Sequence, residues 1–596
     1  MNRPVFVNVL VSLMLCLFFL GSMSFGQAPK KYLVLLKDKA GTPYATSRPA
    51  EFLSSRSIQR RQRQGIAVTE RDFPPNPAYI AQIRQLGATV WYGSRWFNAV
   101  LIEATDTQLT NVLKLPTVIG IESGRTLKNA RTMVNDQLSV VNDQLSINND
   151  PVLGISYRKL GFVTETAFVT DTWSLTTTLP YGASAEQLTQ IGVDAMHQKG
   201  FHGEGMLIGV LDSGFLNVDK VPYLKPLFDE KRIVGTVDFV KRETAVYEDD
   251  DHGLSVLSTM AAVADNSLYG SAYKASYLLL RTEDVASESR LEEVNWLLGA
   301  EYADSTGADL ITSSLGYTTF DDAASNYTYK DLNGSTSLAT RAATMAAEAG
   351  MVVLSAAGND GATAWRYLSV PADAVPVLAV AAVDRNGAKA SFSSFGPAPD
   401  GRIKPDVAAR GQSTVVGLPD GRVASANGTS FATPLLAGMV AGFWQAYPKL
   451  KANEVVNAIR RAGNQYNTPD DRLGYGVPTF TRAAAIAESA MVLGLETEPT
   501  QPAVWPVPFS AGDLVRMIWE DTGATSPNQP VTISVSDALG RVVWETTSQP
   551  ASVRTGAGQP RTELRLPLGN VPLPAGFYLI TAQSETKTKT VRVVKR

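Results

Sequence analysis

The sequence predicts an α/β protein in which a doubly wound parallel sheet follows a small α+β domain and precedes a C-terminal β-sandwich. Three observations support this fold class. Residues 184–494 alternate near-continuous apolar runs with helical patterns, which is typical of buried parallel strands joined by helices. Residues 28–127 have the order β-α-β-β-α-β, the split βαβ arrangement. Residues 503–596 contain short segments of strict apolar–polar alternation around turns, which indicates a sandwich.

The first 26 residues have the pattern of a secretory signal peptide. Arg3 precedes an apolar run at 5–20, and Ser24 and Gly26 supply small residues for cleavage. The alternative is a retained membrane anchor, although the apolar run is short for a bilayer span. The single cysteine, Cys16, lies inside this run, so the exported chain would use neither disulfides nor thiol chemistry.

The small domain is expected over residues 28–127, with strands and helices at 31–37, 76–87, 88–94, 98–104, 106–115 and 117–123. Between its first strand and first helix lies the basic run RSIQRRQRQG, residues 56–65. We interpret this run as the solvated face of a helix rather than as a nucleic-acid patch. A formal net charge of −3 for 596 residues also argues against a nucleic-acid partner, whose binding surface is usually strongly basic.

The composition of two segments is typical of linkers. Residues 128–183 are rich in Ser, Thr, Asn and Asp, and VNDQLSV at 134–140 is followed directly by VNDQLSI. Two heptads are too few for a coiled coil, so we expect a linker that grew by duplication. Residues 495–502 contain prolines and are expected to join the main domain to the C-terminal one.

The main domain carries polar residues where its predicted elements end or begin. Strands are expected at 206–212, 309–316, 351–359 and 375–384, and helices at 184–199, 253–264, 336–350, 431–446 and 452–462. Asp212 and Asn359 end strands, whereas His252 and Ser430 begin helices. In doubly wound sheets, sites gather at the carboxyl ends of the strands.

These residue types meet the needs of acyl transfer. A hydroxyl is a weak nucleophile and needs an imidazole to take its proton, and a carboxylate must orient that imidazole. The oxyanion needs preorganised donors such as a side-chain amide. Each residue also has a structural interpretation: Asp212 as a turn, His252 paired with its acidic neighbours, Ser430 as an N-cap and Asn359 as a turn residue. The coincidence of all four in one domain favours the catalytic interpretation.

Four motifs resemble those of the subtilisin-like serine proteases, or subtilases. They are GEGMLIGVLDSGF at 203–215, DHGLSVLSTMAA at 251–262, SAAGNDG at 355–361 and NGTSFATPLLAG at 427–438. The resemblance implies a subtilisin-like fold, with Asp212 as the orienting acid, His252 as the base, Asn359 as the oxyanion donor and Ser430 as the nucleophile. One departure stands out, because Leu254 and Ser255 replace the threonine and second histidine that usually follow His-Gly.

The resemblance also implies a substrate cleft. It assigns substrate contacts to Ser313, Ser314, Leu315, Gly316, Ala356, Ala357 and Gly358. Leu315, Gly316 and Ala356–Gly358 suggest pocket walls without strong charge, which favours an apolar residue before the cleaved bond. No cofactor is required for the chemistry. Structural calcium is common in the family, but the sequence assigns no ligands to it.

The flanking domains resemble known companions of subtilases. Residues 28–127 resemble inhibitory propeptides, which predicts a zymogen that is cut within residues 128–183. Residues 503–596 resemble the C-terminal sorting domains of type IX secretion in Bacteroidetes, through WPVPF at 505–509, DALGRVV at 537–543 and LPAGFYLI at 573–580. The alternative for this domain is an accessory β-sandwich with a binding role.

The sequence thus predicts a secreted serine endopeptidase, extracellular or at the cell surface, that hydrolyses protein or peptide substrates. Its own propeptide would inhibit it, and the secretion machinery would bind its C-terminal domain. Three alternatives stay open at this point: a catalytically inactive subtilase-fold surface-binding protein, a serine-carboxyl peptidase, and an adhesin in which the β-domain acts.

Overall fold

The computed structural model describes residues 28–124, residues 179–492 and most strands of the C-terminal region. The predicted signal peptide, residues 128–178 of the first linker and the linker at 495–502 lie outside the described residues. The chain divides into two compact units, Met1–Met491 and Val492–Arg596. None of the helices that the structure describes is long and apolar enough to cross a membrane.

The N-terminal region contains a four-stranded antiparallel sheet with the order β2-β3-β1-β4. Its strands are β1 (Lys30–Leu36), β2 (Thr89–Ser94), β3 (Ala99–Ala104) and β4 (Val118–Ile121). Its helices are α1 (Ser55–Gln64), α2 (Pro77–Gln85) and α3 (Asp106–Val112). The split βαβ order is confirmed, with α1 added between the first strand and the first predicted helix.

The basic run at 56–65 is not a solvated helix face, so that interpretation was wrong. Arg60 and Arg61, on α1, are only 1% and 2% exposed. Both guanidinium groups bond to the buried carboxylate of Asp304, in the main domain. The counter-charge of these buried arginines lies more than 240 residues away in the sequence, so the local sequence pattern does not reveal their burial.

The main domain has the predicted parallel sheet, with seven strands in the order β13-β12-β11-β10-β5-β9-β6. They are β5 (Leu207–Asp212), β6 (Ile233–Asp238), β9 (Ser276–Arg281), β10 (Leu310–Ser313), β11 (Val352–Ala356), β12 (Leu378–Val383) and β13 (Val407–Arg410). Short antiparallel pairs are formed by β7 (Val263–Ala264) with β8 (Leu268–Tyr269), and by β14 (Thr414–Gly417) with β15 (Val423–Ala426). The strand order reverses beside β5, which makes the carboxyl end of β5 the expected place for a site.

Helices cover both faces of this sheet. They are α4 (Ala185–Gln190), α5 (Val193–Gln198), α6 (Lys225–Asp229), α7 (His252–Ala261), α8 (Arg290–Thr306), α9 (Leu338–Glu348), α10 (Thr429–Ala446), α11 (Ala452–Arg461) and α12 (Phe480–Val492). The side chains of β5 alternate between two apolar clusters. Ile208 and Val210 pack in the first cluster, whereas Leu207 and Leu211 pack in the second. Tyr92 of the N-terminal region packs in the second cluster, against the main domain.

Some elements differ from those predicted. The helix expected at 184–199 is split into α4 and α5, because Gly192 has a left-handed φ of 72°. The sequence did not indicate β6, β9, β13, α8 or α12. Helix α8 is 17 residues long. Its buried positions include the charged residues Glu301 and Asp304, so the sequence does not show the apolar face that is typical of a packed helix.

The C-terminal unit contains two four-stranded antiparallel sheets, with the orders β16-β17-β21-β20 and β19-β18-β22-β23. The strands are β16 (Val504–Trp505), β17 (Val515–Glu520), β18 (Val531–Ser536), β19 (Val542–Ser548), β20 (Ala551–Arg554), β21 (Pro560–Leu566), β22 (Gly576–Gln583) and β23 (Thr588–Lys595). One apolar cluster draws residues from both sheets, including Met517 and Leu564 from one and Ile533 and Ile580 from the other.

Candidate active site

Asp212 and His252 are brought together across 40 residues of sequence. Asp212 is the last residue of β5 and is fully buried, whereas His252 is the first residue of α7. The Nδ1 atom of His252 lies 2.6 Å from Oδ1 of Asp212. The same oxygen accepts a hydrogen bond of 2.9 Å from the backbone N–H of Ser213. The carboxylate is therefore held in place, and it fixes the orientation of the ring.

The acidic neighbours of His252 do not bond to its ring. Asp250 accepts a hydrogen bond of 2.6 Å from the Ser213 hydroxyl and one of 3.2 Å from the backbone N–H of His252. Asp251 is the N-cap residue of α7. These carboxylates stabilise the entry into the helix, where negative charge is favourable.

The unusual residues after His252 are accommodated by packing. Leu254 is completely buried, and the Ser255 hydroxyl donates a hydrogen bond of 3.0 Å to the Gly417 carbonyl in β14. Gly253 allows a close approach, since a Cβ atom there would lie 2.3 Å from the carbonyl oxygen of Gly214. Ser255 thus joins α7 to β14, and the His252–Asp212 bond is intact.

Ser430 is the second residue of α10 and faces the same cavity as His252. Its Oγ donates a hydrogen bond of 3.2 Å to the Ser314 carbonyl, and the Ser314 hydroxyl donates one of 2.8 Å to the Ser430 carbonyl. Among the residues that the structure describes, no hydrogen bond joins Oγ to the His252 ring. Such bonds are often long in free enzymes and tighten when substrate binds.

Asn359 follows β11 by three residues, after Gly358, whose φ of 108° favours glycine. Its Oδ1 accepts hydrogen bonds of 2.9 and 3.0 Å from the backbone N–H and the hydroxyl of Thr429. Within the described part of the chain, its Nδ2 donates to no acceptor. The amide is thus oriented by Thr429, next to Ser430, with its NH₂ group available to a ligand in the cavity.

The other predicted cleft residues separate into two groups. Ser314, Leu315, Gly316, Ala356 and Gly358 line the cavity. Ser313 and Ala357 are not among the lining residues: the Ser313 hydroxyl accepts a hydrogen bond of 2.9 Å from Trp296, and the Ala357 N–H donates one of 3.0 Å to the Val380 carbonyl. These two residues support the cleft from behind.

The cavity, of about 560 Å³, has an acidic wall that the sequence analysis missed. Its members are Glu283, Asp284, Glu288, Glu292 and Asp321. They lie on the loop after β9, at the start of α8 and in the loop after β10, and neither β9 nor α8 was predicted. The uncharged residues Leu315, Gly316, Ala356 and Gly358 therefore make up only part of the cavity lining.

The local charges act on the pKa of His252. Burial of the ring lowers this pKa, but the charge of Asp212 and its hydrogen bond raise it, and Asp250 and Asp251 add to the increase. The net effect raises the pKa from 6.5 to about 9. The imidazolium form is therefore strongly stabilised in this site.

No metal ligands can be assigned. In the described ranges of both units, no three His, Cys, Asp or Glu side chains are grouped so as to hold a metal ion.

Two family models match the chain. Residues 203–476 match the subtilase family, and residues 31–138 match the peptidase S8 propeptide domain of Bacteroidota. Subtilisin DY of Bacillus licheniformis is 30% identical over 284 residues, which cover 47% of this chain and 90% of the relative. The subtilisin of Bacillus pumilus is 32% identical over 273 residues, covering 45% and 86%.

A thermostable alkaline protease of Halalkalibacterium halodurans is 29% identical over 297 residues, covering 50% of this chain and 71% of the relative. The matched region of the main domain includes Asp212, His252, Asn359 and Ser430. The described propeptide domain, residues 28–124, packs on that domain through buried contacts. The chain belongs to the subtilase family and is a serine-type endopeptidase with a Bacteroidota-type propeptide domain.

Proposed function

We propose that the chain is the zymogen of a secreted endopeptidase that cleaves peptide bonds with the triad Asp212, His252 and Ser430. The observation that carries this proposal is the 2.6 Å bond between His252 and the buried Asp212, on a cavity that Ser430 and Asn359 also line. Since Nδ1 of His252 is engaged by Asp212, Nε2 is the nitrogen that can receive a proton from Ser430.

The reaction follows from these positions. His252 Nε2 takes the proton of Ser430 Oγ as Oγ attacks the peptide carbonyl carbon. The oxyanion accepts hydrogen bonds from Asn359 Nδ2 and the Ser430 backbone N–H. His252 then gives the proton to the leaving amine, the C–N bond breaks, and an acyl ester remains on Ser430. Water, deprotonated by His252, hydrolyses this ester by the same route.

The flanking regions support export and delayed activation. The signal peptide at 1–26 would direct the chain across the inner membrane, and the propeptide at 28–127 would inhibit the enzyme until it is cut at 128–183. The sheets of the C-terminal unit support a β-sandwich over 503–596. We assign to it the role of a type IX sorting domain, which binds the secretion machinery and delivers the protease outside the cell or to its surface.

A fluorophosphonate probe tests the triad directly. The matured wild-type enzyme is expected to be labelled, and the Ser430→Ala and His252→Ala variants, matured in the same way, are expected to remain unlabelled. Ser425→Ala, an exposed serine in β15, is the matched control and should be labelled normally. Persistent labelling of matured Ser430→Ala would refute the assignment.

The pH dependence of kcat/KM reports on the base. Only neutral His252 can accept the proton of Ser430, and its pKa is raised to about 9. Activity is therefore expected to rise with pH and to reach half its maximum near pH 9, in a profile recorded with a neutral peptide. Asp250→Asn removes a nearby negative charge and should move the midpoint to lower pH, whereas the remote Asp229→Asn should not. A midpoint at or below pH 6.5 would contradict this prediction.

Asn359→Ala is expected to lower kcat by about 10²–10³-fold, the range known for the equivalent donor in subtilisin. The amide acts on charge that develops only in the transition state, so KM should change little. Steady-state kinetics of the matured enzyme measures both constants. Asn386→Ala, in a surface loop, is the control and should leave both unchanged. A loss of kcat/KM of the same size that arises from KM alone would argue that Asn359 only binds substrate.

A further inference from the structure

The acidic wall of the cleft extends directly from the triad. Arg281, the last residue of β9, pairs with Asp212 in the sheet, and the Thr282 N–H donates a hydrogen bond of 2.9 Å to the Asp212 carbonyl. Glu283 is the next residue. The wall therefore begins beside the acid of the triad and continues along the loop to the start of α8.

Glu283 is the buried base of this wall, at 7% exposure. Its Oε1 accepts hydrogen bonds of 2.6 Å from the Tyr317 hydroxyl and 3.0 Å from the Thr282 hydroxyl. Among the described residues, no donor bonds to its Oε2, and Glu283 lines the cavity. Burial raises the pKa of this carboxyl to about 8. Below about pH 8 the carboxyl is therefore mainly neutral, and a cation in the cavity would favour its ionised form.

Glu288 and Asp321 form the exposed rim of the same wall. Their backbones hold the two loops together, since the Asp321 N–H donates a hydrogen bond of 2.9 Å to the Glu288 carbonyl. No lysine or arginine lines the cavity in the described part of the chain. The carboxylate of Glu292, in contrast, is used within the protein, as it accepts bonds of 2.9 and 3.0 Å from the Ser289 and Asp284 N–H groups.

The chain's own propeptide supplies peptide of opposite charge. The part of the propeptide that the structure describes ends at Gly124. Near this end, Glu122 and Ser123 line a second cavity together with Arg290 and Glu293, which lie at the start of α8. The next seven residues are RTLKNAR, which carry three basic side chains. In self-cleavage, residues of the propeptide lie on the amino-terminal side of the cut bond. A cut shortly after this run would place its basic side chains on the side of the cleft that the acidic wall could bind.

We propose that Glu283, Glu288 and Asp321 form a subsite for the cationic side chain of a lysine or arginine that lies two to four residues before the cleaved bond. This inference rests on the proposed function and specifies its substrate class. The buried Glu283 would receive the charge at the base of the wall, and the two rim carboxylates would attract it from solvent.

The test uses the matured enzyme, obtained from the full chain, and quenched fluorescent peptides that differ only in lysine or glutamine at the second, third or fourth residue before the cut. Mass spectrometry fixes the cut position. The kcat/KM ratio of lysine to glutamine is expected to be about tenfold or more at one of these positions. Glu288→Gln and Glu283→Gln should each lower this ratio severalfold, and Asp229→Asn, an exposed acid on α6, should leave it unchanged.

The outcomes separate the two proposals. A ratio near one at all three positions, or a ratio that survives in the Glu283→Gln/Glu288→Gln double variant, overturns the subsite while the triad stands. Hydrolysis of none of the peptides, together with absent fluorophosphonate labelling, overturns the proposed function and the subsite with it. Because Glu288 is exposed at the rim, its glutamine variant should fold even where Glu283→Gln does not.

Discussion

Ser430→Ala is expected to lower kcat/KM of the matured enzyme by about 10⁶-fold, the size of loss known for the equivalent change in subtilisin. Without Oγ no acyl ester can form, and only the oxyanion donors and substrate binding remain. His252→Ala should cause a loss of similar size, and the double variant should be no worse than either single one, because the two residues act as a unit.

The kcat/KM measurement needs variants whose maturation does not depend on their own activity. A foreign protease site placed within residues 128–178 would allow every variant to be matured in the same way, without contamination by wild-type enzyme. Ser425→Ala serves as the control and should retain full activity. If Ser430→Ala kept more than about 1% of the wild-type kcat/KM, a nucleophile other than Ser430 would be required.

Arg61→Ala is expected to destabilise the zymogen by about 3–5 kcal/mol, because it breaks a buried ion pair by removing one partner. Arg61 Nη2 lies 2.8 Å from Oδ2 of Asp304 and 3.0 Å from Oδ1 of Asp72. Burial alone would raise the pKa of Asp304, but the charges of Arg61, Arg60 and Arg95 hold it below its usual value. Removal of one guanidinium group leaves buried carboxylates short of positive charge.

Urea unfolding of the full chain in a Ser430→Ala background, which prevents self-cleavage, measures this effect. Arg84→Ala, at an exposed position on α2, is the matched control and should change stability by no more than about 0.5 kcal/mol. A double-mutant cycle with Asp304→Asn isolates the pair itself. A loss below about 1 kcal/mol for Arg61→Ala would contradict a structural role for the buried pair.

The sequence predicted those features that local patterns encode. The apolar runs of β5, β10, β11 and β12 predicted the parallel sheet, because strands buried on both faces need apolar residues at every position. Polar residues at the ends of those strands then indicated where Asp212 and Asn359 would meet His252 and Ser430.

The features that were missed depend on partners distant in the sequence. Helix α8 buries Glu301 and Asp304, which makes its pattern look unlike that of a packed helix. Glu301 accepts hydrogen bonds from the Ser94 hydroxyl and from the backbone N–H groups of Arg95 and Trp96 in the propeptide. The arginines of α1 looked solvated for the same reason. Neither half of such an interface can be recognised without the other.

The acidic wall was missed because no periodic pattern marks it. Glu283 and Glu288 lie on a loop, and only the positions of β9 and α8 bring them to the cleft. Their function as a subsite therefore depends on tertiary structure that the local sequence does not reveal.

The buried carboxylate of Asp304 has a consequence for maturation. While the propeptide is bound, this charge is neutralised by arginines that belong to the segment to be removed. When the propeptide leaves, water replaces the guanidinium groups and hydrates the carboxylate, while the released arginines are hydrated in turn. Dissolved salt screens a pair buried this deeply only weakly, so separation depends on the hydration of the charged groups as they part. The buried ion pair, and not the ionic strength of the medium, thus contributes to the lifetime of the inhibited state.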